Sequence, residues 1–128
     1  ILFMKIGRLI ADKKHLCTRA FAKKNDSFTH IRSRIYTQPD SVGSVDELAA
    51  EAGMSRSGFQ HMYKKMFGVS VIADVITGRV ERAKRLLTST TLTVDEIAAR
   101  CGYSGSYAFI RQFKQRCGKT PTAYRKGI

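Results

Sequence analysis

Acid is scarce in this sequence. Only 10 Asp and Glu stand against 23 Lys and Arg, a formal net charge of +13 at pH 7, with a pI near 10.1. From Ile97 to Ile128 there is no acid at all. So large a basic excess points to a polyanionic partner, because neutralised phosphates release condensed counterions. A basic protein with no nucleic-acid role is the plainer alternative. Proline is rare as well, at two, while Ala, Leu, Lys and Arg are frequent, which favours helix over sheet. The three cysteines, Cys17, Cys101 and Cys117, lie far apart and form no CxxC. Their spacing and odd number argue against a zinc site or a disulfide framework, and predict buried or inert thiols in a reducing compartment. No apolar run approaches the roughly 20 residues of a membrane span. The stretch Ile1 to Ile10 is broken by Lys5, Gly7 and Arg8 and has no small-residue cleavage signature, so neither a signal peptide nor a membrane role is expected. Gly-rich phosphate loops, HExxH, GxSxG and paired carboxylates are missing too. We therefore expect no enzyme, no cofactor and no metal. The chain starts with Ile and its first Met is Met4, which suggests a piece of something longer.

What the sequence does contain is helical periodicity in 128 residues, enough for one ordinary domain or two small subdomains. Leu2, Ile6, Leu9, Ile10, Leu16, Cys17, Ala20 and Phe21 predict one or two amphipathic helices within residues 1–27. Asn25-Asp26-Ser27 reads as a fresh helix start, with Phe28, Ile31 and Ile35 on one face up to Pro39. Pro39 to Gly43 is a turn cluster. Ser44-Val45-Asp46-Glu47 is a capping box, and the helix it opens ends at Gly53. Ser55 starts a helix through Phe59, Met62, Tyr63 and Met66 to Gly68. A long helix spans Ser70 to Ser89, with Gly78 as its weak point, costing about 1 kcal/mol relative to Ala.

The pattern then repeats. Ser44-Val45-Asp46-Glu47-Leu48-Ala49-Ala50 matches Thr93-Val94-Asp95-Glu96-Ile97-Ala98-Ala99 at an offset of 49. Gly53 and Ser55 keep that offset with Gly102 and Ser104, whereas Gly68 and Gly118 differ by 50, so the second copy has one extra residue after Ser104. Ser104 is expected to begin the next helix, carrying Phe109 and Phe113. Thr120-Pro121 starts a last short helix. Two copies are too few for a solenoid.

Each copy is a helix, a Gly-containing turn and a second helix, the arrangement that puts its second helix into the DNA major groove. The pairs Ala49/Ala50 and Ala98/Ala99 are expected to let the two helices cross closely. Asp46, Glu47, Asp95 and Glu96 sit in first turns, where the helix dipole favours anions. The second helices, Ser55–Phe67 and Ser104–Cys117, have no acid and carry Arg56, His61, Lys64, Lys65, Arg111, Lys114 and Arg116. Plain solvated faces are the alternative, against which the recurrence in both copies weighs. A long helix of about 27 Å suits major-groove faces roughly 34 Å apart. A helical protein-interaction or RNA-binding module is the competing class.

The motifs Val45-Asp46-Glu47-Leu48-Ala49, Gly53-Met54-Ser55-Arg56-Ser57 and Arg79 to Leu87 occur in order with Gly102-Tyr103-Ser104, Phe109, Phe113-Lys114, Gly118-Lys119-Thr120-Pro121 and Tyr124-Arg125. In this order residues 28–126 resemble the DNA-binding domain of the AraC/XylS transcription regulators of bacteria. The resemblance implies an all-α fold of seven helices, with two helix-turn-helix subdomains (28–69 and 90–128) joined by a linker helix (70–89). Residues 1–27 would be a helical extension, the tail of an effector or dimerisation domain. The base-facing sites carried over are Ser57, Gln60 and His61 in the first recognition helix, and Tyr107, Ala108 and Arg111 in the second. Arg111 suits guanine O6 and N7, Gln60 suits adenine, and His61 and Tyr107 suit a base or the sugar-phosphate. For each of the four, a phosphate, solvent or packing role stays open. Ser55, Arg56, Lys64, Lys65, Ser104, Ser106, Lys114 and Arg116 are the expected phosphate contacts, which position without specifying; Ser55 and Ser104 double as caps. Val71 stands where Pro is usual and Asp74 where an aromatic is common, and Gly58 and Ala108 are smaller than usual. The partners implied are double-stranded DNA and RNA polymerase, with a small effector only through a domain outside this chain. The implied location is cytoplasmic, with the nucleoid.

Overall fold

A computed structural model describes the chain from His15 to Ile128, and its side chains from Asn25 onward. The predicted amphipathic pattern before these positions lies outside the described residues. Among the described residues the fold is all helix: α1 (His15–Thr37), a 3-10 turn (Pro39–Ser41), α2 (Val45–Glu51), α3 (Arg56–Phe67), α4 (Val71–Ser89), α5 (Val94–Arg100), α6 (Ser106–Cys117) and α7 (Pro121–Lys126). None of these helices is long and apolar enough to cross a membrane.

Local chemistry sets most boundaries. The hydroxyls of Ser44, Ser55, Ser70, Thr93 and Thr120 each accept the backbone N–H three residues on, as N-caps do. In the two capping boxes the hydroxyls of Ser44 and Thr93 also donate to the Glu47 and Glu96 carboxylates, at 3.5 and 3.1 Å. The helices α3 and α6 end at Gly68 and Gly118 in the left-handed region. Two expectations are corrected. Helix α1 runs unbroken through Asn25-Asp26-Ser27; Phe28, Ile31 and Ile35 stay buried along it, and that packing overrides a local start signal. Ser104 is not a cap: Gly105 is the N-cap of α6 and offers no side-chain acceptor. The extra residue of the second copy occupies the position that Ser55 holds in the first.

Two cores form. Phe28, Ile31 and Ile35 from α1 pack with Val42, Leu48, Ala49, Phe59, Tyr63 and Val71. Val80, Ala83 and Leu87 pack with Ile97, Ala98, Cys101, Tyr103, Phe109 and Phe113. Helix α4 thus supplies its first turns to one core and its last turns to the other. Only the first Ala of each pair, Ala49 and Ala98, is buried at its crossing; Ala50 and Ala99 face outward. Gly78 is no weak point. A Cβ there would lie 2.5 Å from the Ile35 carbonyl oxygen, so the crossing of α1 and α4 requires its absence.

Candidate nucleic-acid interface

The turn between α2 and α3 and that between α5 and α6 share one construction. The N–H groups of Gly53 and Met54 donate to the carbonyls of Ala50 and Ala49, and those of Gly102 and Tyr103 to Ala99 and Ala98, all at 2.9 to 3.2 Å. Each turn aims the following helix so that its aromatic stripe is buried and its other face is open. In α3, Phe59 and Tyr63 are fully buried while Arg56, Ser57, His61, Lys64 and Lys65 are exposed and Gln60 is half-buried. Ser57, Gln60, His61 and Lys64 fall at helical neighbour spacings on one stripe. Gln60, His61, Lys64, Lys65 and Ser70 line an open concavity beside the start of α4. In α6, Phe109 and Phe113 are buried; Tyr107, Ala108, Arg111 and Lys114 are exposed and Ser106 is half-buried. A second shallow concavity is lined by Ala108, Arg111, Gln112 and Gln115.

Not every expected contact keeps a free face. Ser55 accepts the Gly58 N–H at 3.2 Å, so it is a cap first. Arg56 pairs with Asp46 at 3.4 Å, both ends open to solvent, an arrangement of small energy. Arg116, expected among the phosphate contacts, is exposed and also reaches α4. Its Nη1 donates to Thr77 Oγ1 at 3.0 Å and its Nη2 to the Ala73 carbonyl at 3.3 Å. Two residues escaped the sequence reading. Ile110 is exposed on α6, at helical neighbour positions to Tyr107 and Lys114. An Ile off the Phe109/Phe113 stripe was the available signal. Gln115 shares the concavity with Arg111.

Asp74, noted in sequence only as a departure from an aromatic, organises the first unit. It is 3% exposed. Its carboxylate accepts from Tyr36 and Tyr63, each at 2.6 Å, and from Arg32 Nε at 2.9 Å. Those donors come from α1 and α3, so one buried carboxylate on α4 locks the first recognition helix to two neighbours. Charge-assisted bonds of this kind are short and strong. Burial first, and the adjacent carboxylate second, push the Tyr63 and Tyr36 phenols above their usual range and keep them as donors. The Arg32 guanidinium also lies 4.6 Å from the Phe67 ring centroid, a cation–π contact.

The second unit is braced differently. The Tyr103 hydroxyl donates to Gln112 on α6, and the Arg79 guanidinium of α4 sits 5.0 Å from the Tyr103 ring centroid. Arg125 on α7 donates to the Leu87 and Thr90 carbonyls at 3.0 and 3.2 Å, closing the C-terminal end of α4. Cys101 is buried and Cys117 half-buried, both as free thiols; the Cys17 side chain lies outside the described residues.

Two turns of the same construction, each presenting an acid-free helix from a shared long helix, define a double helix-turn-helix protein. Residues 48–127 match the family model described as a helix-turn-helix domain. The xylose operon regulatory protein of Escherichia coli (strain K12) is 36% identical over 81 residues, 63% of this chain and 21% of that protein. The Msm operon regulatory protein of Streptococcus mutans is 31% identical over 98 residues, 77% of this chain and 35% of that protein. The DNA-binding domain of AdpA, a global transcriptional factor solved in complex with a target DNA, is 32% identical with a TM-score of 0.72, over 78% of this chain and 90% of that one. The C-terminal domain of AraT, a response regulator from Geobacillus stearothermophilus, is 30% identical with a TM-score of 0.73, over 80% and 85%. The chain belongs to the helix-turn-helix domains of AraC/XylS type. It spans between 21% and 35% of the length of the two curated relatives named above.

Proposed function

We propose that this chain reads double-stranded DNA with α3 and α6 in adjacent major grooves on one face of the duplex, as the DNA-binding part of a bacterial transcription regulator. The observation that carries the reading is the repeated outward face. Both α3 and α6 bury an aromatic stripe and leave a basic, acid-free stripe open. Helix α4, 19 residues long and so about 28 Å, separates the units on the scale of one major-groove repeat.

In this reading Ser57, Gln60 and His61 face bases from α3, and Tyr107, Ala108 and Arg111 from α6. Arg111 donates to guanine O6 and N7, and Gln60 pairs with adenine. Ile110 joins them as an apolar contact for a thymine methyl. Arg56, Lys64, Lys65 and Lys114 hold phosphates. Ser104 and Ser106 flank the uncapped start of α6, whose first amides suit a phosphate oxygen. Contacts with RNA polymerase, an effector domain elsewhere in the full protein and a cytoplasmic, nucleoid-associated location belong to the same proposal, as do the unit limits 28–69, 70–89 and 90–128 and the extension 1–27. Enzymatic chemistry has no place in it.

The test is selection of genomic fragments on the purified chain, then footprinting of the winning site at two salt concentrations. Two protected major grooves on one face, about one turn apart, are expected. Protection of one groove would reduce one unit to a backbone clamp. Better competition by RNA or single-stranded DNA than by duplex of equal length would overturn the reading.

A further inference from the structure

We propose that Arg116 is a positioning residue that fixes the phase between the two recognition helices, and so selects the spacing between the two half-sites. The inference rests on the two-groove reading above. Both recognition helices are hydrogen-bonded to the same turn of α4. From α3, Tyr63 donates to Asp74 at 2.6 Å. From α6, Arg116 donates to the neighbouring Ala73 carbonyl and, one turn on, to Thr77 Oγ1. Thr77 donates its own hydroxyl to Ala73 at 2.9 Å, which leaves its oxygen aligned to accept from Arg116. The second core touches α4 through Val80, Ala83 and Leu87, with Ile76 and Leu86 packed against it. At Thr77 Arg116 meets the edge of that core, and at Ala73 it reaches one turn beyond it, to the segment that holds the first unit together.

The opposite side of α4 carries a matching contact. Arg82 Nη1 donates to the Thr37 carbonyl at 3.0 Å. The turn at Gly102 lies against Pro39: a Cβ on Gly102 would sit 2.8 Å from the Pro39 carbonyl oxygen. The second unit is thus seated against the 39–41 turn on one side and strapped by Arg116 on the other. A body held at two points resists rotation about α4. On DNA, a change of one base pair between half-sites rotates the second groove by about 35°, since a turn is 10–10.5 base pairs. A braced pair of helices cannot follow that rotation; a released pair can.

A phosphate contact by Arg116 makes different predictions, and the two separate in one experiment. The full 128-residue chain is titrated against the selected site and against copies with one base pair inserted or removed between half-sites. Arg116→Ala and Thr77→Val should both weaken the preference for the native spacing, by about fivefold or more, with the slope of log K against log salt unchanged. Arg116→Lys should behave like Arg116→Ala, because an ammonium does not reproduce the two-pronged guanidinium geometry. Equal loss on all three spacings, a salt slope shallower by about 1 and rescue by Lys would overturn the positioning role in favour of a phosphate contact. An undiminished spacing preference in both Arg116→Ala and Thr77→Val would overturn it outright. If the parent chain itself is indifferent to spacing, the two-groove reading fails and the inference fails with it.

Discussion

Arg111 and Lys114 lie about one turn apart on the open face of α6, yet their chemistry separates their roles. A guanidinium can match two acceptors on one guanine, whereas an ammonium is a point charge suited to phosphate. Arg111→Ala is expected to cost about 1–3 kcal/mol on the selected site and to relax its base preference; Lys114→Ala should weaken every duplex alike and make the salt slope shallower by about 1. Identical behaviour of the two variants across a salt titration would refute the division. Buried titratable groups give a second prediction at this scale. Burial raises Cys101 to about 11 and Tyr103 to about 12, and pushes Tyr63 up as well. Each is neutral when protonated, so a raised folded pKa favours the fold while the pH stays below the unfolded value. That contribution is lost as pH rises through the folded value. Thermal stability should therefore decline from about pH 9, the ordinary range of a thiol, towards pH 12; a melting temperature constant over that window would contradict it.

At the scale of elements, the crossing of α1 and α4 depends on Gly78. Ala is the better helix former by about 1 kcal/mol. Here its methyl would meet the Ile35 carbonyl, a backbone atom at 2.5 Å that cannot swing aside. Overpacking costs about 1–3 kcal/mol, so Gly78→Ala should lower stability by about 1 kcal/mol net, read as an earlier urea midpoint. A later midpoint would mean that α1 yields easily and that the crossing is loose. The Asp74 cluster joins α1, α3 and α4 through three donors. Asp74→Asn removes the charge and sets an amide N–H2 against donors, a loss of about 2–3 kcal/mol. It should also weaken DNA binding through α3 more than through α6, which footprinting of the two half-sites would resolve.

At the scale of the molecule, α4 belongs to both cores. Unfolding one unit strips packing from the helix that the other requires, so a single cooperative transition is expected. Separate transitions by tyrosine fluorescence and far-ultraviolet circular dichroism would show the two units to be independent. The net charge of +13 and the open faces of α3 and α6 set the salt response. With Arg56, Lys64, Lys65 and Lys114 on phosphates, log K should fall against log salt with a slope of about −3 to −4.

Most helix boundaries from Ser44 onward, the doubled unit and the two buried stripes are legible in the sequence; the start at Asn25-Asp26-Ser27 and the Ser104 cap are not borne out. Capping hydroxyls, helix-ending glycines and apolar spacing act over three or four residues, and local hydrogen bonding and periodicity are enough to read them. The sequence also marked the open stripes of α3 and α6, because Ser57, His61 and Lys64, and Tyr107, Arg111 and Lys114, fall away from the Phe59/Tyr63 and Phe109/Phe113 stripes and are exposed. Tertiary structure alone decided the rest. Asp74 looks like an irregularity until α1 and α3 bring Tyr36, Arg32 and Tyr63 to it. Arg116 looks like one more cation until the seating of α6 brings Thr77 and Ala73 within its reach. Gly78 looks like a fault until Ile35 crosses it. Each depends on partners 11 to 43 residues away, and the direction of a long polar side chain follows from where two helices cross, which no local pattern encodes.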